Sequence, residues 1–202
     1  MYTTSSADLR GHVRLACVPG IGSRLRRLLL ERFGSAEAIF QADPAELQGV
    51  ARLGPKLAQE IPSYATSTAA DEVLALCAAR GVDIILEGDP RYPGLLSRID
   101  DPPGLLFVCG EMRPADSLAV AIVGARHATA YGLRVAEQLA GGLARAGYTV
   151  VSGLARGIDA AAHRGALKAD GRTLAVLGSG VLSIYPPEHE SLAGEVSANG
   201  AL

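Results

Sequence analysis

Arg126, Arg156 and Lys168 stand in or near glycine-marked turns, and the chemistry they suit is holding an anion. Arg126 closes Val123-Gly124-Ala125-Arg126, and Arg156 lies within Ser152-Gly153-Leu154-Ala155-Arg156-Gly157-Ile158-Asp159. A third turn, Gly178-Ser179-Gly180, carries no charge. A guanidinium is a forked donor matched to phosphate, while glycine lets a ligand approach backbone N–H groups. The candidate contacts are therefore Gly124, Ala125, Arg126, Ser152, Gly153, Ala155, Arg156, Gly157, Gly178, Ser179 and Gly180. Lys168 joins them, and it and Arg156 are secondary electrostatic candidates.

Three apolar runs, 119–123, 148–151 and 173–177, lead into these turns, and helical-looking segments of roughly twenty residues separate them. Strand, helix, strand, helix, strand predicts a parallel sheet, with the turns gathered at the carboxyl ends of its strands. Helix amino termini and free amides collect there and attract anions. Thr129 is placed to cap the helix that begins near Tyr131-Gly132. Two further strands, 82–86 and 105–108, precede this core, so the sheet is expected to exceed a minimal doubly wound unit, with helices on both faces.

Other chemistries fit less well. Ser152, His163 and Asp159 are a possible nucleophilic set, but they are crowded into one segment and lack a Gly-x-Ser-x-Gly elbow. Asp159 and His163, four residues apart on one helical face, are expected to hydrogen-bond and brace the loop. As a metal pair they lack a third ligand. Gly178-Ser179-Gly180 misses the dinucleotide fingerprint because Ser183 takes the third glycine position, and no Walker lysine motif is present. No cofactor or metal is expected.

The chain has 202 residues, 49% of them hydrophobic and 20% charged, with a formal net charge of −2. Charge is nevertheless partitioned: residues 119–172 hold seven Lys or Arg against three Asp or Glu, and residues 1–62 hold eight against six. A basic face on a mildly acidic chain is compatible with a polyanion. Cys17, Cys77 and Cys109 are odd in number and widely spaced, which favours reduced thiols over disulfides or zinc. Residues 1–6 carry no targeting signal and no run reaches membrane-spanning length, so a cytoplasmic location is expected.

Residues 1–62 read as a small helical domain and 63–202 as the larger sheet domain. Asp8 caps a first helix through Leu15, and a second runs from Ser23 to Phe33 with Leu25, Leu28 and Leu29 on one face. Gly34 stops it and Ser35 caps the next. Two turns, Val18-Pro19-Gly20-Ile21-Gly22 and Arg52-Leu53-Gly54-Pro55-Lys56, resemble helix-hairpin-helix turns. Such turns grip a DNA phosphate without reading sequence; equally, they join antiparallel helices in a structural cap, with Arg24, Arg26 and Arg27 on a solvated face. Residues 63–81 read as a linking helix.

Taken together, the motifs resemble the DNA-processing protein A family (DprA, also called Smf). The resemblance runs through Val123-Gly124-Ala125-Arg126, Tyr131-Gly132, the Ser152–Asp159 segment and Ala162-His163. It continues through Gly165-Ala166-Leu167, Gly171-Arg172-Thr173, Ala175-Val176-Leu177-Gly178-Ser179-Gly180 and Tyr185-Pro186. Ala125 departs from the family's usual serine. The resemblance implies an extended Rossmann-like fold without enzymatic activity. It also implies single-stranded DNA binding, loading of the recombinase RecA in natural transformation, and a homodimer. Because the family continues past the equivalent of Leu202, it further implies a fragment or shortened form. An alternative is a nucleoside-monophosphate phosphoribohydrolase on a related fold, whose Pro-Gly-Gly-x-Gly-Thr-x-x-Glu motif is absent. With no Trp and three Phe, base stacking falls to Tyr131 or Tyr185, either of which could equally serve packing, so phosphate contacts should dominate.

Overall fold

The computed structural model describes residues 6–202, with side chains from residue 8 onward. The signal-free stretch read over residues 1–6 lies, but for Ser6, outside the described residues. Two compact units divide the chain, 1–106 and 107–202.

The first unit is helical for most of its length. It contains α1 (Ser6–Ala16), α2 (Ser23–Phe33), α3 (Ala36–Gln41), α4 (Pro44–Gln48), α5 (Pro55–Glu60), a 3₁₀ segment (Ile61–Thr66) and α6 (Ala69–Arg80). Then comes β1 (Val82–Leu86), which pairs with β2 (Leu105–Cys109) at the unit border. Leu15, Val18, Leu29, Ile39, Phe40, Leu47 and Ile61 form its core, with Leu25 and Leu28 packed against them. Gly34 ends α2 in the left-handed conformation, its N–H bonded to the Leu30 carbonyl, and Ser35 Oγ accepts the Ala38 N–H at 3.2 Å. Asp8 falls inside the first turn of α1, where it pairs with His12 at 3.2 Å. Because α6 packs on α1, helped by Arg10–Asp71, this compact unit runs past residue 62.

The three arginines of α2 divide. Arg24 is exposed. Arg26, read as a phosphate grip or part of a solvated face, is neither: it is buried, bonded to His12 Nδ1 at 2.8 Å and laid against the Gly104 backbone. Arg27 donates to the Asp100 carbonyl at 2.8 Å.

The second unit holds β3 (Ala119–Ala121), α7 (Ala130–Arg145), β4 (Thr149–Ser152), α8 (Ile158–Lys168), β5 (Thr173–Ala175) and α9 (Glu190–Asn199). The three strands are parallel in the order β3-β4-β5. Register puts Val120, Val150 and Thr173 on one face and Ala121, Val151 and Leu174 on the other. Val150 packs with Ala140, Ala162 and Ala166 of α7 and α8, and Ala175, on the same face, packs with Leu192, Ala193 and Val196 of α9.

All three helices therefore cover one face. Among the described residues Ala121, Val123 and Val176 stand exposed on the opposite face. Both crossovers step in the same direction across the sheet, and right-handed connections then deliver both helices to the same side.

The two earlier strands form a separate ladder rather than continuing this sheet. Within the second unit Ala201 bridges Leu174 of β5 on one side and Gly110 on the other. Cys109 and Leu202 exchange backbone hydrogen bonds of 3.0 and 2.8 Å beside it. At the amino edge, Arg172 clamps Asp116 through Nε at 2.5 Å and Nη2 at 2.8 Å and also reaches the Asn199 carbonyl. Burial alone would raise Asp116, but the bonds from Arg172, the Arg113 N–H and Thr149 hold its carboxyl below the usual range.

Candidate functional site

Three loops meet at the carboxyl edge of β3-β4-β5. Residues 122–129 follow β3, 153–157 follow β4, and 176–189 follow β5. The first two are locked together. The Ile158 N–H donates to the Ala125 carbonyl at 3.2 Å. Gly157 adopts φ +80° where a Cβ would lie 2.2 Å from the Ala125 oxygen and 2.7 Å from that of Arg126. Only glycine fits there, which explains why the motif carries one before the helix. A side chain at Gly124 would likewise strike Ile158 at 2.7 Å.

The second loop is braced by buried polar groups. Asp159 Oδ2 accepts the Gly153 N–H at 3.1 Å. Leu154, fully buried, takes a left-handed φ of 56°, and its carbonyl accepts from His189 Nδ1 at 2.8 Å. Positive φ in a bulky residue is strained, and the His189 bond helps hold it. The third loop is tied in through Val176 N–H to the Ser152 carbonyl at 2.9 Å.

What remains unengaged are the donors suited to an anion. Arg126 is exposed and, among the described residues, makes no hydrogen bond or ion pair. The N–H groups of Gly124, Ala125, Arg126, Gly178, Ser179 and Gly180 donate to no protein acceptor among the described residues. Thr129 accepts the Gly132 N–H at 3.1 Å, so α7 is capped at this edge as expected. Arg156 is exposed, its Nε 2.5 Å from Glu188 Oε1 and its guanidinium 5.7 Å from the centre of the Tyr185 ring.

Several expected contacts lie elsewhere. Ser152 is buried and donates to the Ile122 carbonyl at 2.6 Å, so its hydroxyl ties β4 to β3. The Gly153 amide is already taken by Asp159. Lys168 ends the 11-residue α8, about 15 Å of helix from the loops, and there it pairs with Glu137. Ala155 and Gly157 stay in the loop as expected.

Asp159 braces the second loop, but the expected Asp159–His163 hydrogen bond is not formed. His163 Nδ1 meets Thr173 Oγ1 at 2.7 Å, and that hydroxyl donates to the Val150 carbonyl at 2.8 Å. The threonine oxygen must then accept, so Nδ1 carries the proton and Nε2 is left without a partner. Burial pushes His163 down to about 4, with the Asp159 charge opposing and His189 reinforcing the shift. With Ser152 and His163 bonded elsewhere, no nucleophilic triad assembles from these three residues. Glu188 and His189 were not singled out from sequence. Their signal was position, since they follow Tyr185-Pro186 in the loop that faces Arg156.

A parallel α/β sheet with an exposed arginine and unengaged amides at its carboxyl edge, in a chain whose first unit carries tandem helical hairpins, defines the class. Residues 83–202 match the family described as DNA recombination-mediator protein A, and residues 14–62 match the SAM-like helix-hairpin-helix tandem. The chain belongs to the DNA recombination-mediator protein A family. It is 34% identical to Protein Smf of Synechocystis over 189 residues, 92% of this chain and 48% of that protein. It resembles the X-ray structure of DNA processing protein A from Streptococcus pneumoniae with a TM-score of 0.74 and 27% identity, covering 95% of this chain and 65% of that one. The Helicobacter pylori DNA processing protein A, described for its single-stranded DNA binding mode, matches with a TM-score of 0.52 and 30% identity over 59% of this chain and 53% of that one. The chain spans about half the length of the curated relatives it matches. No helix among the described residues is long and apolar enough to cross a membrane.

Proposed function

We propose that this chain binds single-stranded DNA through its phosphates, as the sheet-bearing part of a non-enzymatic recombination mediator. Arg126 and the free amides of Gly124–Arg126 and Gly178–Gly180 hold the backbone, with Arg156 as a second cation. The bound strand is passed to RecA during natural transformation, in the cytoplasm, by a homodimer of the whole protein. The helical 1–62 and the sheet-bearing 63–202 act as its two domains. The observation that carries this reading is the unpartnered Arg126 beside six unengaged amides on one sheet edge. The single-stranded DNA binding named for the Helicobacter pylori relative supports it.

Fluorescence anisotropy of a labelled oligo-dT across a chloride series tests it. Affinity falls steeply with salt, and Arg126→Ala weakens binding by about 1–3 kcal/mol and lowers the salt slope by about 0.7. Salt-insensitive binding, or an Arg126→Ala protein that binds as well as the parent, would overturn the reading.

A further inference from the structure

We infer that Glu188 is a resident competitor for Arg156, a carboxylate that an incoming phosphate must displace, and that it sets which anions this edge accepts. The inference rests on the reading of the edge as a phosphate-backbone site. Arg156 is one of two arginines in the three loops, and Glu188 is the one carboxylate in residues 122–129, 153–157 and 176–189. The two meet at 2.5 Å although both remain exposed, with side-chain accessibilities of 44% and 52%. A pair so wet contributes little to folding, so stability does not account for it.

Its delivery is nonetheless built. Glu188 sits on the 3₁₀ turn Pro187–His189, and His189 anchors that turn to the Leu154 carbonyl, two residues before Arg156. The Tyr185 ring lies beside the guanidinium, so Arg156 keeps a support when the carboxylate leaves. The bond from Arg156 holds the Glu188 carboxyl below its ordinary range, so it is ionised at neutral pH.

Selectivity follows from charge exchange. A small monoanion that displaces Glu188 replaces one negative charge by another and gains little. A polyanion already held at Arg126 and the free amides presents its next phosphate at high local concentration, and so displaces the carboxylate readily. Glu188 thereby favours strands over isolated phosphodiesters.

Glu188→Gln keeps the shape and one oxygen acceptor but removes the charge. With labelled oligo-dT at low salt, this variant is expected to bind about 3- to 10-fold tighter, with a salt slope about 0.7 steeper. Competition by dimethyl phosphate, a monoanion like each backbone phosphodiester, should strengthen by a larger factor than competition by unlabelled oligo-dT. In an Arg156→Ala background the same substitution should change nothing. Circular dichroism and the arginine Nε–Hε NMR signals of the free protein establish that the variant is folded and that the Arg156 signal moves. Wild-type binding with an unchanged or weaker Glu188→Gln protein would overturn the inference alone, making Glu188 a positioning residue. Failure of both folded proteins to bind would overturn the inference and the DNA reading together.

Discussion

His163 is fully buried with Nε2 unpartnered, so protonating it means placing a charge where only Asp159 offers relief. Its folded value of about 4 lies below the ordinary 6.5, so between these the unfolded chain binds more protons. Stability from this residue is complete above pH 6.5 and is lost as pH falls toward 4. Roughly 2 kcal/mol should disappear between pH 7 and 5. Urea unfolding at several pH values measures this, and His163→Gln, whose amide can still donate to Thr173, should flatten the dependence. The motif signalled that Asp159 and His163 matter, but their partners came from distant residues. Thr173 arrives from the next strand and the Gly153 amide from the preceding turn. Ser152 and Gly153 read as ligand contacts because their types suit one; in the fold each already donates to a closer acceptor, the Ile122 carbonyl and Asp159 Oδ2.

At the scale of elements, the two hairpin turns make a controlled comparison. Gly20 has φ +89°, and Arg52, at the corresponding place in the second turn, has φ +70°. A left-handed arginine costs about 1–2 kcal/mol, part of which glycine gives back through the entropy of the unfolded chain. Arg52→Gly should therefore raise stability by about 0.5 kcal/mol, while Gly20→Ala should lower it by about 1 kcal/mol; thermal unfolding of the two variants decides. Local signals were legible where local chemistry governs. Ser23–Phe33 and Val82–Leu86 begin and end as their caps and branched residues dictate. Lys168 lies apart from the loops because α8, whose direction sequence proximity to the second loop hides, carries its last turn toward the amino edge. Arg26 was misjudged because its burial depends on Gly104, far along the chain.

The sequence foretold a parallel sheet with its ligand edge, since three apolar runs ending in small-residue turns leave few alternatives. It could not reveal how the sheet is finished. Asp116–Arg172 joins residues 56 apart, and Ala201 reaches Gly110 and Leu174, pairings that depend on chain closure rather than periodicity. Which face the helices choose follows from strand order, which no single segment encodes.

The bare face of β3-β4-β5 bears on how the molecule behaves in different electrolytes. β3 is an edge strand; Val123, just past it, is 72% exposed, and Val176, just past β5 at the other edge, is 69% exposed. Apolar area of this kind is sensitive to salting-out, and an open strand edge offers a template for pairing. Chloride and sulfate should consequently separate two properties. Chloride screens phosphate binding and leaves the protein monodisperse; sulfate screens it too but strengthens apolar association. Static light scattering should rise with protein concentration in sulfate and stay flat in chloride of equal ionic strength, and Val123→Lys should remove the rise. If scattering is flat in both, the exposed face is too small or too well hydrated to matter.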